Sequence, residues 1–220
     1  MHPGDEQAIG RRGRGSQACS VRRAFSNGSD SRRRRSQVNQ TALLIIDVQK
    51  GLDDPSLGER NNPEAESNMA RLLAAWRGKG LPVIYIRHCS VEADSPLRPE
   101  RPGNAFKDEV QPQPGETEFT KTTNSAFVGT RLQEHLGKHA ISELVIIGLT
   151  TDHCVSASAR NASDLGYDVT VVSDATAAHG RVGYDGVAYT SEMIHRVSLV
   201  TLDGEFGTVR STDEVLELID

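Results

Sequence analysis

The chain has 220 residues and three cysteines, with 36% hydrophobic and 25% charged residues. That length suits one α/β domain carrying a tail, and no apolar run reaches the roughly 20 residues that cross a bilayer. Cys19, Cys89 and Cys154 are odd in number and widely spaced, which excludes a disulfide framework and a zinc pattern and suits a reducing, cytoplasmic setting.

The net charge of −5 is unevenly spread. Residues 1–40 hold nine arginines against Asp5, Glu6 and Asp30, a net of +6, which leaves −11 for residues 41–220. An acidic body argues against nucleic acid as a partner of the folded domain. Residues 1–40 lack apolar periodicity and contain the run Arg32-Arg33-Arg34-Arg35. They read as a disordered tail. An organellar transit peptide, a nucleic-acid or anionic-surface contact and a solvated tail all fit an Arg- and Ser-rich segment. The early acids and the glycines make a poor targeting helix, so the solvated tail is favoured.

Order is expected from Thr41. Thr41 to Ile46 reads as a strand covered on both faces, with Asp47 at its carboxyl end. A turn-rich loop follows to Asn62. Pro63 can open a helix capped by Asn62, with Met69, Leu72, Leu73 and Trp76 on its buried face. Pro82 to Ile86 is a second strand, followed by Arg87-His88-Cys89. Residues 90–116 hold five prolines and read as a long loop over the site. Glu118 to Lys121 is a short third strand, and a helix is expected from Ala126 to Leu136.

Leu144 to Ile147 is an apolar run ended by Gly148, then Thr150-Thr151-Asp152, all residues that cap helices. Cys154 then lies in the first helical turn, where free N–H groups and the helix dipole favour a thiolate. A small buried hydrophobe is the alternative reading of a free cysteine. That helix runs to about Leu165, and Asp168 to Val172 is a fifth strand with Ser173-Asp174 at its edge. Ala175 to Gly183 reads as loop, Asp185–His195 as helix, Val197 to Thr201 as a sixth strand, and Ser211–Ile219 as a closing helix. The alternation implies a three-layer α-β-α sandwich around a six-stranded, mostly parallel sheet. No Gly-rich phosphate loop follows the first strand, so nucleotide chemistry is not expected.

Asp47, Lys121 and Cys154 each close a separate strand. In a parallel sheet such ends face one crevice. A cysteine nucleophile needs a base and a stabilising cation, which Asp47 and Lys121 would supply without a metal or cofactor.

These residues resemble the isochorismatase-like cysteine hydrolases, which include nicotinamidases, N-carbamoylsarcosine amidohydrolases and ureidoacrylate hydrolases. The resemblance rests on Leu44-Ile45-Ile46-Asp47-Val48-Gln49, on Lys121 with Ser125-Ala126-Phe127, and on Gly148 to Val155, with Gly166-Tyr167-Asp168-Val169 and Ser173-Asp174-Ala175 in support. It implies an Asp47–Lys121–Cys154 triad and a cis peptide between Leu149 and Thr150. It implies too an oxyanion site formed by the N–H groups of Thr150 and Cys154, and assembly into a homodimer or homotetramer. Asn124, Phe127, His153, His88 and Tyr184 are candidates for touching substrate. The Asp-x-His metal spacing of nicotinamidases is missing at Asp53-Asp54-Pro55, so no metal is expected. The cysteine favours cleavage of a small amide, carbamoyl or ureido substrate; the alternatives are the vinyl-ether hydrolysis of isochorismatases proper and a non-catalytic family member acting as a binding protein.

Overall fold

The computed structural model describes residues 41–219, and the expectations for residues 1–40 lie outside the described residues. Six strands form one sheet in the order β3-β2-β1-β4-β5-β8, and every neighbouring pair is parallel. They are β1 (Thr41–Ile46), β2 (Val83–His88), β3 (Thr117–Lys121), β4 (Glu143–Leu149), β5 (Asp168–Ala177) and β8 (Thr208–Arg210). A separate antiparallel hairpin pairs β6 (Arg181–Val182) with β7 (Ala188–Tyr189). The helices are α1 (Ala65–Lys79), α2 (Leu132–Lys138), α3 (Ser156–Asp164), α4 (Ser191–Leu202) and α5 (Thr212–Ile219).

The sheet is covered on both faces because its two central strands carry uninterrupted apolar runs, Ala42 to Ile46 and Leu144 to Ile147. Leu43 and Ile45 belong to a core with Met69, Leu72, Leu73 and Trp76 of α1. Ala42, Leu44 and Ile46 point the other way, into a core with Ala159 and Ala162 of α3 and Leu199 and Leu202 of α4. This period-two alternation buries β1 from both sides.

Several element boundaries differ from expectation. The stretch Val197 to Thr201 is not a strand but the second half of α4, which buries Ser191, His195, Leu199 and Leu202 at helical spacing. The sixth strand is Thr208–Arg210, which pairs with β5. Strand β5 runs on to Ala177. The helix expected from Ala126 starts only at Leu132; before it, the Thr130 hydroxyl donates to the Ala126 carbonyl at 2.6 Å. Asn62 does not cap α1. Its side chain donates to the carbonyls of Ser173 (3.0 Å) and Thr176 (2.7 Å), and α1 begins at Ala65.

One glycine is demanded by the packing of β1 on β4. Gly148 has φ +132°, and a Cβ there would lie 2.1 Å from the Ile46 carbonyl oxygen. Only a hydrogen fits, and the contact sits one residue before Asp47.

Candidate active site

Because β3, β2, β1 and β4 are consecutive in the sheet, their carboxyl ends form one edge. Asp47 follows β1, His88 ends β2 and Lys121 ends β3. His88 and Lys121 are direct cross-strand partners. Asp47 has φ +51°, a left-handed turn that aspartate tolerates better than most residues. Past β4 the Leu149–Thr150 peptide is cis, and Thr151–Val155 forms one π-helical turn leading into α3. Its signature is the Val155 N–H bonded to the Thr150 carbonyl at 3.2 Å. Cys154 sits in this turn.

Lys121 is the hub of the site. Its buried ammonium lies 2.5 Å from Asp47 Oδ2, 3.0 Å from the Thr123 carbonyl, and 3.3 Å from both His88 Nδ1 and Cys154 Sγ. An ammonium has three N–H donors and here faces four acceptors. A carboxylate oxygen of Asp47, a ring nitrogen of His88 and the Cys154 sulfur lie within 4.8 Å of one another, a donor set that could hold a metal ion. Lys121 already places a positive charge against all three of these residues.

Electrostatics set the resting proton positions. Burial pushes the Asp47 carboxyl up from 3.8 to about 6, although the charge and hydrogen bond of Lys121 pull it down. Burial, then the charge of Asp47, pushes the Cys154 thiol up to about 12 against the opposing pull of Lys121. The expected thiolate at a helix mouth is therefore not the resting form. Cys154 rests as a thiol beside a carboxylate that has one free oxygen: Asp47 Oδ1 is buried without a hydrogen-bond partner. His88 is held below its ordinary value by burial and by the charge of Lys121, which favours the neutral ring.

A cavity of about 710 Å³ opens over the sulfur. Asp47, His88, Asn124, Thr150, His153 and Cys154 line it, and Asn124 Oδ1 lies 3.8 Å from Sγ. Two expected substrate contacts fall elsewhere. Phe127 packs on Tyr167 with ring centroids 5.8 Å apart, and Tyr184 is fully exposed near the turn of the β6–β7 hairpin. Neither lines the cavity. The long loop does form a wall, through Ser90, Val91, Glu92, Ser95 and Leu97. His179 and Arg181 also line the cavity, although nothing in the local pattern of residues 175–183 marked them.

His88 is fixed from behind. The Gln49 side chain, fully buried, accepts from the His88 N–H (2.8 Å) and donates to the carbonyls of His88 and Asn104 (both 2.9 Å). Asn104 donates to the His88 carbonyl as well, at 2.9 Å, and to that of Leu97 at 2.7 Å. These two amides tie the end of β2 to the loop wall.

The family model for the isochorismatase domain matches residues 41–214. The chain belongs to the isochorismatase family. An isochorismatase family protein of Bacillus subtilis, YrdC, is 46% identical over 175 residues, covering 80% of this chain and 94% of that protein. A protein of the isochorismatase family from Chromobacterium violaceum superposes with a TM-score of 0.80 at 44% identity, covering 82% of this chain and 94% of that one. The ureidoacrylate amidohydrolase RutB of Pseudomonas syringae is 26% identical over 215 residues, covering 82% of this chain and 84% of its own. As an isochorismatase-family hydrolase, the chain has the six-stranded α/β fold of its relatives. Among the described residues no helix is long and apolar enough to cross a membrane.

Proposed function

We propose that this isochorismatase-family protein hydrolyses a C–N bond of a small amide, carbamoyl or ureido compound, with Cys154 as nucleophile. The carrying observation is the Lys121 ammonium 2.5 Å from Asp47 Oδ2 and 3.3 Å from Cys154 Sγ, with Asp47 Oδ1 left free. In the first step the thiol proton passes to Asp47 as sulfur attacks the carbonyl carbon. Lys121 offsets the charge that builds on sulfur. The tetrahedral oxyanion is received by the backbone N–H groups of Thr150 and Cys154. Asp47 then gives its proton to the leaving nitrogen as the C–N bond breaks. Water, deprotonated by the same carboxylate, attacks the thioester-type intermediate and releases the acid, and the thiol is restored.

The similarity to RutB supports C–N chemistry of this kind. Asp47 near 6 supports a second reading, a vinyl-ether hydrolase that uses Asp47 as an acid without sulfur chemistry. One experiment separates them. Ammonia release and vinyl-ether cleavage are screened on the wild type and on Cys154→Ala in parallel. Ammonia release that disappears in Cys154→Ala supports the cysteine mechanism; vinyl-ether cleavage that survives the substitution sinks it.

Two lesser readings stand with this proposal. The free cysteines Cys89 and Cys154 agree with a reducing compartment such as the cytoplasm. Exposed Met193, Val197 and Val200 follow one another along α4 at helical spacing and favour assembly with a second copy. Sedimentation at micromolar concentration tests the latter, and a monomer throughout rejects it.

A further inference from the structure

The π turn that carries Cys154 begins with three residues of helix-capping type, and all three side chains turn elsewhere. Thr150 makes no cap bond. Thr151 Oγ1 lies 2.8 Å from His195 Nδ1, and Asp152 takes an ion pair from Arg181. Arg181 stands on the separate hairpin, far in sequence from the turn. Its Nη1 lies 3.0 Å from His153 Nε2, and His153 Nδ1 lies 3.4 Å from Thr150 Oγ1.

The direction of each hydrogen bond in this chain follows from donor chemistry. A guanidinium only donates. At 3.0 Å, His153 Nε2 must therefore present its lone pair to Arg181, because an N–H there would set two donors face to face. A neutral ring with a bare Nε2 carries its proton on Nδ1. The Nδ1–H then donates to Thr150 Oγ1, and the hydroxyl hydrogen of Thr150 is left over. Thr150 lines the cavity beside Cys154.

We propose that Arg181 is a positioning residue that locks His153 in the Nδ1–H form, which turns the Thr150 hydroxyl hydrogen toward the substrate. Thr150 thus serves the site twice, through its backbone N–H and through a side-chain donor whose direction is set from the hairpin. Asp152 holds the guanidinium in place; its Oδ2 also lies 3.5 Å from His153 Nε2, so without Arg181 the ring would turn its proton to Nε2 and toward that carboxylate. This inference rests on the hydrolase reading for the use of Thr150, but the locked ring does not.

The test has an arm that needs no substrate. Long-range ¹H–¹⁵N correlation spectra of the full chain at pH 8 report which His153 nitrogen bears the proton. The expected result is Nδ1–H in the wild type and a shift to Nε2–H in Arg181→Met. Arg181→Lys should behave as Arg181→Met, since a lysine cannot span Asp152 and His153 in one planar fork. It also retains the charge beside Asp152 should the methionine variant fold poorly. Nε2–H in the wild type, or Nδ1–H retained in both variants, overturns the proposal.

The second arm uses a substrate from the amide screen. Thr150→Val should lower kcat about tenfold or more, in the range of a lost oxyanion-type donor, and Thr150→Ser should recover most of it. Arg181→Met should lower kcat in the wild type yet add little to Thr150→Val, because the two act through one hydroxyl. A full additional loss in the double variant, or an effect confined to KM, would assign Arg181 a direct substrate contact and reject the relay. If Cys154→Ala stays active, the hydrolase reading falls while the tautomer result still decides the lock.

Discussion

Asp47 and Lys121 share one hydrogen bond of 2.5 Å, made through Oδ2, while Oδ1 of the same carboxylate is buried and takes no hydrogen bond from Lys121. The ion pair and the free base are thus two ends of one group. The cation keeps Asp47 ionisable in a site that burial alone would neutralise.

The activity profile should carry that signature. Asp47 is pushed up to about 6, so kcat/KM should fall tenfold per pH unit on the acid side of pH 6. The thiol, near 12, should add no basic limb below pH 9. Initial rates from pH 4.5 to 9.5 check this. A profile flat down to pH 5, or a plateau reached only near pH 8.5, would contradict the assignment of Asp47 as base.

Removing Lys121 alone should be worse for stability than removing the pair. Lys121→Met leaves a buried carboxylate uncompensated, at a cost of about 3–5 kcal/mol. Asp47→Asn with Lys121→Met should recover most of that loss, although neither variant should turn over substrate. Urea midpoints decide it. A double variant no more stable than the single one would mean the ion pair is not what balances the site.

A second buried charge cluster should govern acid stability. Glu66 takes hydrogen bonds from Arg60 and from Lys107, the latter at 2.6 Å. Burial pushes its carboxyl up, but these bonds and charges outweigh it and hold Glu66 at about 2, below the usual 4.5. A depressed carboxylate contributes stability above the unfolded value and loses it as pH falls from 4.5 toward 2, on the order of 3 kcal/mol. Asp47 has the opposite sign: its raised value takes stability away as pH climbs from 3.8 through 6. Glu66→Gln should therefore be less stable than the wild type at pH 7 and should flatten the loss between pH 4.5 and 2. An unchanged slope in that variant would place the acid sensitivity elsewhere.

Gly148→Ala should be among the most damaging single-methyl changes in the protein. Its Cβ meets the Ile46 carbonyl at 2.1 Å, and the backbone at φ +132° resists any side chain. Strands β1 and β4 would have to part beside Asp47, costing about 3 kcal/mol or more. A thermal midpoint within a few degrees of the wild type would show that the contact relaxes cheaply.

The central strands were legible because Leu43 to Ile46 and Leu144 to Ile147 are apolar without interruption, and burial on both faces demands that. Asp47 follows the first of these runs and Cys154 lies in the turn beyond the second, while Lys121 ends the short, partly exposed β3. Helix α4 was misread because its core side includes Ser191 and His195, while its exposed side displays Val197 and Val200, so the apolar letters of the second half follow the wrong face. Strand β8 is three residues with no apolar run, and its pairing with β5 alone defines it. Arg181 was invisible for a different reason. Its meaning comes from contact with Asp152 and His153, which lie 29 and 28 residues away, and no local spacing encodes that.

The strand order has a consequence for how this protein acquires its activity. Lys121 is 74 residues from Asp47 and 33 from Cys154, and the three groups meet only when β3, β2, β1 and β4 have all been laid side by side. Among the described residues no hairpin or half-sheet brings all three groups together: β3-β2-β1 lacks Cys154, and β1 with β4 lacks Lys121. Regain of turnover after dilution from urea should therefore trail the recovery of helical circular dichroism. Catalysis in this chain would then report on completion of the whole sheet, and partly assembled chains in a cell would be chemically silent.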